Sequence, residues 1–427
     1  VEILLRLPPD EPEYLFRASL VCKLWGNLLS GRAFRRRYRE FHQALPVLGF
    51  FRNLSGLARF VPTTAFRPPD SGKSFAFDCR HGRVLLSDRS FPDSFTLWDP
   101  MTNEKQRVRH PAIRGSCYNA GVFCATPGCD HLDCHGGPFL VAFVGTDADD
   151  DGARACLYSS ETGVWSSPSY VEFGYELDSY VDSMPPVMVG DALYFTCGTG
   201  SLILRYNLGG DRGLSVIDAM DVYEGGDNQD GGGVVIMPVE NGGLGLAVLN
   251  MFTLYLWVLK TGPGRAARWK KSGVIKLDML SIGDPRHSLC LLSAFAKGRA
   301  SDVIFVSTHA GVFMIELKSE QVTKVCEKGL FNVFPYMSFC TPARHHGHGV
   351  RAKPRAVGTS PTIGTTAFSL TCRKPPAAAT VAPCSRCASC LRSTPRRRGR
   401  THVKEGKRAS PEKSSSRGLP PVQGLRW

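Results

Sequence analysis

The sequence has 427 residues and a formal net charge of +14, from 52 Lys and Arg against 38 Asp and Glu. The charge is uneven: from Thr341 to Trp427 there are 18 basic and 2 acidic residues, so the first 340 residues carry a net charge of −2. A folded domain that binds nucleic acid has a basic face of its own, so this distribution argues against such binding by the body of the chain. The longest apolar run, Leu244–Leu259, has 16 residues, and a membrane helix needs roughly 20.

Cysteine usage bears on the compartment of the protein. The 15 cysteines are odd in number and irregularly spaced, and no secretory signal opens the sequence. Reduced thiols are the default for such a chain, so we expect a cytoplasmic or nuclear protein without a disulfide framework. The sequence begins at Val1 within an apolar helical pattern, so we expect the first part of the opening helical unit to be missing.

Residues 1–45 are predicted to be helical. A first apolar helix ends at Pro8 and Pro9, and Asp10 with Glu13 fits a capping box for the next helix. That helix is predicted to continue to a stop at Ser30 and Gly31, because apolar residues recur at spacings of three and four: Leu15, Ala18, Cys22, Trp25 and Leu29. A basic helix over Arg32–Phe41 follows. So short a unit buries too little apolar surface to be stable alone, and we expect it to pack on a partner.

Residues 46–342 change to short, β-rich runs separated by Gly, Pro, Asp and Asn turns. Turns that carry Asp, Asn, Glu or Lys beside Thr or Ser recur at a drifting interval near ~50 residues, which is typical of kelch-like propellers. We therefore predict a mainly β protein with a small helical N-terminal domain and an antiparallel propeller of about six blades. In a closed ring, the last strand within Leu330–Phe339 must reach the first within Leu48–Val61. Four tryptophans are predicted to pack between blades: Trp98, Trp165, Trp257 and Trp269.

Residues 343–427 are predicted to form a disordered basic tail, because Val, Ile, Leu and Phe are sparse and Pro, Ser, Arg and Lys dominate. The basic run from Arg396 to Arg400 fits three interpretations: a solvated tail, a nuclear import signal, or weak phosphate binding to RNA. The abrupt change of composition at Thr341 also fits a shifted reading frame.

Two groups of residues have metal-ligand chemistry. The denser group lies within 12 residues and comprises Cys124, Cys129, His131, Cys134 and His135, and the second is Cys384, Cys387 and Cys390 with Cys372 or His402. Structural zinc sites usually combine two separated pairs of ligands, so a connecting loop with reduced thiols is the favoured interpretation of the first group. Nucleophile-elbow, phosphate-loop, dinucleotide-loop and H-E-x-x-H motifs are all incomplete or missing. We predict no enzyme activity, no metal and no cofactor.

The opening of the chain resembles an F-box. The residues that carry the resemblance are Leu7-Pro8 and then Val21-Cys22-Lys23-Leu24-Trp25, and the turns at Trp98-Asp99-Pro100-Met101-Thr102 and Tyr158–Trp165 resemble the F-box-associated propeller-like region of large plant families. The resemblance covers residues 1–340. Where the family often has a charged helix former, Gly26 follows Trp25, which costs up to ~1 kcal/mol of helix stability relative to Ala.

This resemblance implies a substrate-recognition subunit of a Skp–cullin–F-box ubiquitin ligase. The helices would dock on the Skp-type adaptor, and through it on a cullin, while the propeller would bind an unknown protein substrate. The residues that would form or support the adaptor surface are Ile3, Leu4, Leu7, Pro8, Leu15, Val21, Cys22 and Trp25. Two alternatives remain at this stage, a nucleic-acid-binding protein acting through the tail and a metal-dependent enzyme built on a propeller.

Overall fold

The N-terminal part of the chain is helical, as the periodicity predicts. The computed structural model describes residues 1–342 except 44, 89–92, 114, 133, 135, 148–150, 174–179, 199, 211, 220–221, 223–232, 240–241, 263–264, 278–288, 297–300 and 328–331. The predicted tail, 343–427, lies outside the described residues. The helices are α1 (Glu2–Leu5), α2 (Pro12–Val21), α3 (Lys23–Leu29) and α4 (Arg32–His42). Among the described residues, no helix has the length and hydropathy that crossing a membrane requires.

Two details of the helical prediction are wrong. The predicted capping box does not form: Glu11 is the N-cap of α2, with no side-chain capping bond, and Pro12 opens the helix at a position where its missing N–H has no cost. The predicted long helix is also divided, because Cys22 is extended, with φ −159° and ψ 161°, and separates α2 from α3. The predicted basic helix is confirmed by α4.

The body is a six-bladed antiparallel propeller, which confirms the predicted fold class. In chain order the described strands are β1 (Val47–Leu54), β2 (Leu57–Pro62), β3 (Ser74–Arg80), β4 (Arg83–Asp88), β5 (Ser94–Trp98), β6 (Lys105–Arg109), β7 (Cys117–Cys124), β8 (Phe139–Thr146), β9 (Gly152–Ser159), β10 (Val164–Trp165), β11 (Ser169–Glu172), β12 (Val187–Val189), β13 (Ala192–Cys197), β14 (Leu202–Asn207), β15 (Leu214–Asp218), β16 (Val234–Val239), β17 (Gly243–Asn250), β18 (Thr253–Gly262), β19 (Arg265–Lys276), β20 (Cys290–Ala296), β21 (Ser301–Thr308), β22 (Gly311–Glu316), β23 (Val322–Cys326) and β24 (Val333–Met337). Five blades are consecutive in sequence: β3–β6, β7–β11, β12–β15, β16–β19 and β20–β23.

The sixth blade closes the ring and joins the two ends of the propeller sequence. Its strand order is β2-β1-β24, and β1 pairs with β24 with Phe50 opposite Pro335 and Phe51 opposite Phe334. Both phenylalanines of β1 are buried. The predicted meeting of the first and last β runs is therefore confirmed, and closure removes the long unpaired edges that an open sheet of this size would expose.

Strand composition follows the radial position in each blade. The second strand β13, Ala-Leu-Tyr-Phe-Thr-Cys, is buried along its whole length, because both of its faces are covered by neighbouring blades. By contrast the outermost strand β6, Lys-Gln-Arg-Val-Arg, buries only Val108. Charged side chains on an outer strand discourage pairing with other chains.

The recurring Asp/Asn/Ser/Thr turns all join the third and fourth strands of a blade. In the clearest case, the Asp99 carboxylate accepts the backbone N–H of Met101 at 2.8 Å, and Trp98 Nε1 donates to Asn103 Oδ1 at 3.1 Å. In the equivalent turn of the next blade, Ser159 Oγ accepts the N–H of Glu161 at 3.3 Å. An Asp or Ser side chain that bonds the backbone two residues on fixes such a turn locally, so the repeat is visible in sequence.

Candidate adaptor-binding surface and propeller channel

The helices form a small core that is completed by the propeller. Its buried side chains are Leu4, Leu5, Leu15, Ala18, Leu29, Phe34, Tyr38 and Phe339, with Leu7, Trp25, Leu28, Leu45 and Leu132 packed against them. Phe339 follows β24 and Leu132 lies in the β7–β8 loop, so two of these side chains belong to the propeller. The Tyr38 and Phe339 rings meet edge to face, with centroids 5.8 Å apart. The expectation that the helices need a partner for their core is met within the chain itself.

Helix α4 holds the short helix α1 in place. The Tyr38 hydroxyl donates to the carbonyl of Leu7 at 2.7 Å, and His42 Nε2 lies 2.9 Å from the carbonyl of Leu5. Carbonyl groups at a helix end lack partners within the helix, so these contacts stabilise the end of α1 and the turn after it.

The eight residues predicted for the adaptor surface divide between support and surface. Leu4 and Leu15 are buried, Leu7, Pro8 and Trp25 are partly buried, and Ile3, Val21 and Cys22 are exposed. The first five therefore support the helical unit, and the last three lie on its surface. The extended backbone at Cys22 ends α2 directly after Val21. The helix therefore does not continue the buried stripe at this point, and Val21 faces solvent.

Further apolar side chains on the same helices are exposed, and Phe16, Leu20 and Leu24 were not among the eight predicted residues. We use the term apolar docking surface for five residues of α1–α3: Ile3 (76% exposed), Phe16 (42%), Leu20 (83%), Val21 (67%) and Leu24 (75%). Phe16 and Leu20 are four residues apart, so they share a face of α2. The spacing of four residues between Phe16 and Leu20 could have revealed this surface in the sequence. These two residues are not part of the buried stripe that contains Leu15 and Ala18. Exposed apolar side chains of this size are uncommon on a helical unit this small, and they are the candidate for an interaction surface.

The packing of α3 against α2 depends on Gly26. A Cβ added at this position would lie 2.9 Å from the carbonyl oxygen of Ser19, which is closer than a carbon and an oxygen tolerate. The interpretation of Gly26 only as a cost to helix stability is therefore wrong, because the missing side chain permits the two helices to approach.

A cavity of about 360 Å³ lies in the central channel of the propeller, between the innermost strands. Strands β3, β12, β16, β20 and β24 contribute to its wall, and Leu45, His81 and His131 line it as well. Arg80 reaches into this wall and bonds Asp78, with Nε and Oδ2 2.9 Å apart, and also donates to the carbonyl of Pro186. The bond to Pro186 thus connects β3 with the segment that precedes β12 in another blade.

Burial controls the charges beside this cavity. It raises the pKa of Asp78, and Arg80 and the backbone N–H groups of Val122 and Cys79 oppose that shift. Burial also lowers the pKa of His81 to about 3, with smaller contributions from His131 and from Arg80 and Arg83. His81 is therefore a neutral imidazole at pH 7.

The structure brings together four of the candidate metal ligands. The ligand atoms of Cys124, Cys129, His131 and Cys134 all lie within 4.8 Å of one another. His135 and the second group, Cys384, Cys387 and Cys390, lie outside the described residues, as do Cys372 and His402.

Solved structures are similar to the chain only at low identity and low TM-score. The chain is similar to apo AztD from Citrobacter koseri at 11% identity and a TM-score of 0.33, covering 66% of this chain and 79% of that chain. It is similar to the WD40 domain of SCAP from fission yeast at 11% identity and a TM-score of 0.33, covering 61% and 53%. A prolyl endopeptidase structure matches at 15% identity and a TM-score of 0.30 over 60% of this chain, and the match spans 33% of the endopeptidase. A search of curated proteins found no match.

The chain thus combines a small helical unit with a closed six-bladed propeller. A family profile described as "F-box protein AT5G49610-like, beta-propeller" matches residues 76–343. The match covers more than half of the chain, and the protein belongs to this family, in agreement with the resemblance to plant F-box proteins.

Proposed function

We propose that this protein is the substrate-recognition subunit of a Skp–cullin–F-box ubiquitin ligase. In this proposal the apolar docking surface binds a Skp-type adaptor, and through it a cullin. The propeller binds a protein substrate, and the chain itself carries out no bond chemistry. The observation that carries the proposal is the exposure of Ile3, Leu20, Val21 and Leu24 on helices whose core is formed by other apolar side chains, among them Leu15 and Leu29.

The positions of the two ends of β1 support this proposal. Val47 pairs with Met337 close to the helical unit, and β1 runs from there for eight residues to the turn at Ser55 and Gly56. An eight-residue strand spans roughly 26 Å. The face of the ring that carries this turn is therefore well separated from the docking surface, so a substrate on that face would leave the adaptor unobstructed. Loops on a rigid scaffold commonly carry recognition.

The test is direct binding to a purified Skp-type adaptor. We expect Leu20→Glu combined with Leu24→Glu to weaken binding at least tenfold, because two charges would replace apolar side chains at the interface. Both side chains are exposed in the free chain, so the fold should be retained, and circular dichroism checks this.

Met251→Glu is the matched control. Met251 is 66% exposed in the turn between β17 and β18, so the control introduces a carboxylate at a similarly exposed apolar site of the propeller. It should bind the adaptor as the parent does. Unchanged adaptor binding by the Leu20/Leu24 variant would refute the proposed function.

A further inference from the structure

The loop between β7 and β8 folds four soft ligands around one point. Cys124 ends β7, and Cys129, His131 and Cys134 follow in the loop, with Cys134 buried and the others partly buried. His131 Nδ1 lies 3.8 Å from Cys134 Sγ. In a tetrahedral zinc site the corresponding separation is about 3.6 Å, since Zn–S is about 2.3 Å and Zn–N about 2.0 Å. All four ligand atoms lie within 4.8 Å of one another. Two sulfur ligands of one zinc ion are about 3.8 Å apart, so each ligand atom needs to move by no more than about 1 Å to bind a common ion.

Backbone N–H groups already point at two of the sulfur atoms. The N–H of Thr126 donates to Cys124 Sγ at 3.4 Å, and the N–H of His131 donates to Cys129 Sγ at 3.4 Å. In both cases the donor is two residues after the cysteine. Hydrogen bonds of this kind orient ligand atoms and stabilise the negative charge that a coordinating thiolate carries.

The charge around the cluster also suits a thiolate-rich metal site. Arg83 at the start of β4 is buried, and its guanidinium interacts electrostatically with Cys134 and Cys124. It donates to the carbonyl of Gly137 and lies 5.2 Å from the centre of the Phe139 ring, so it is fixed against this loop. A divalent ion with three thiolates and one imidazole has a net charge of −1, which the guanidinium offsets.

We propose that Cys124, Cys129, His131 and Cys134 form a structural zinc site. Three thiolates and an imidazole are ligands that favour zinc, and four protein ligands leave no open position for catalysis. The crowding of the ligands within 12 residues of sequence favoured a loop with reduced thiols. Crowding is compatible with a single site here, because Cys124 ends a strand and the loop folds back on it.

The ion would fix a loop that contacts the helical unit. Leu132 lies between His131 and Cys134 and packs against the helical core. An ordered loop would therefore hold the helices against the propeller. The zinc site would in this way fix the position of the helical unit. Zinc binding by these four residues does not depend on adaptor binding.

The experiment measures metal in the full chain purified from cells grown with added zinc. We expect close to one zinc per chain from the loop by elemental analysis. Replacement by Co²⁺ should give the ligand-field absorption of a tetrahedral thiolate complex. Cys124→Ser and Cys134→Ser should each lower the zinc content at least tenfold. His131→Ala should also lose zinc, and His131→Cys should retain it because four thiolates also bind zinc tetrahedrally.

Two controls assign the metal to the loop. Cys117→Ser changes a partly buried cysteine at the other end of β7 and should leave the zinc content unchanged. A second variant, Cys384→Ser with Cys387→Ser, removes the other candidate ligands and should leave the loop's zinc in place. The proposal is overturned if the parent binds neither zinc nor Co²⁺, if mass spectrometry finds a disulfide among the three loop cysteines instead of metal, or if the loop variants keep the parent's zinc content.

Discussion

The side-chain amide of Asn53 makes two hydrogen bonds of 2.8 Å with the backbone of Ala76, donating to its carbonyl and accepting its N–H. Asn53 lies on β1 of the closing blade, Ala76 lies on β3 of the next blade, and both residues are buried. The amide thus acts as a peptide group would in a neighbouring strand. It connects two separate sheets at the point where the ring closes.

Replacing Asn53 by Ala should destabilise the propeller by about 2–4 kcal/mol, since a buried N–H and a buried carbonyl would each lose a partner. Chemical denaturation of the full chain measures the effect. Asn27→Ala at an exposed position of α3 is the matched control and should change the free energy of unfolding by less than about 0.5 kcal/mol. A similar small effect at Asn53 would contradict the role of this amide.

Gly26→Ala should loosen the helical unit, although helix propensity alone favours the substitution by up to about 1 kcal/mol. The new Cβ would meet the Ser19 carbonyl at 2.9 Å, so α2 and α3 must separate, at a net cost of about 1–2 kcal/mol. Amide hydrogen exchange over residues 12–29 should become faster. Slower exchange would show that propensity outweighs the contact, and Asn27→Ala in the same helix again provides the control.

Two tryptophans link neighbouring blades by the same bond, which confirms the prediction that they pack between blades. Trp165 Nε1 donates to the carbonyl of Arg109, and Trp269 Nε1 donates to that of Asp218, both at 2.8 Å. Changing either tryptophan to Phe should cost about 1 kcal/mol from the lost bond. The double variant should show the sum of the two effects, because the sites lie in different blade pairs. Clear non-additivity in denaturation would rule out two independent links.

Asp182 should make stability depend on pH in mildly acidic solution. Burial raises its pKa to about 6, and the N–H of Ser183 partly opposes the shift. An unfolded Asp titrates near 3.9, so between about pH 4 and 6 the folded state binds more protons. The contribution of this group to the free energy of unfolding therefore falls as the pH rises through that window, by at most about 3 kcal/mol.

Asp182→Asn tests this dependence, since the amide cannot ionise. The variant should gain stability relative to the parent at pH 7 and should approach the parent at pH 4. Denaturation curves at a series of pH values give the difference between the two proteins. A constant difference across the series would show that Asp182 does not titrate in this range.

The ring was predictable because its signals are local. The turn at Asp99 is fixed by bonds to Met101 and Thr102, so its residues recur in sequence wherever a third strand meets a fourth. Closure was predictable from the cost of open edges. The register between β1 and β24, in which Phe51 lies opposite Phe334, was not predictable, because no local sequence pattern determines it.

The helical unit was predictable only in part. Periodicity placed Leu15 and Ala18 in the core, but an extended Cys22 depends on how α3 packs across α2, and that is a tertiary contact. The same limit applies to the loop ligands. Their spacing was visible, whereas the return of His131 and Cys134 toward the end of β7 depends on the hairpin and on Arg83 beneath it.

Ring closure sets an order of events during protein synthesis. Val47 and Met337 pair across 290 positions of the chain, so β1 leaves the ribosome long before its partner strand exists. Contacts this distant in sequence form slowly, and until then the edge of β1 and its two buried phenylalanines stay uncovered and prone to aggregation. Phe339, which completes the helical core, is made later still. A nascent or truncated chain therefore lacks part of the core that holds its helices, so the helical unit is complete only once the propeller has been made.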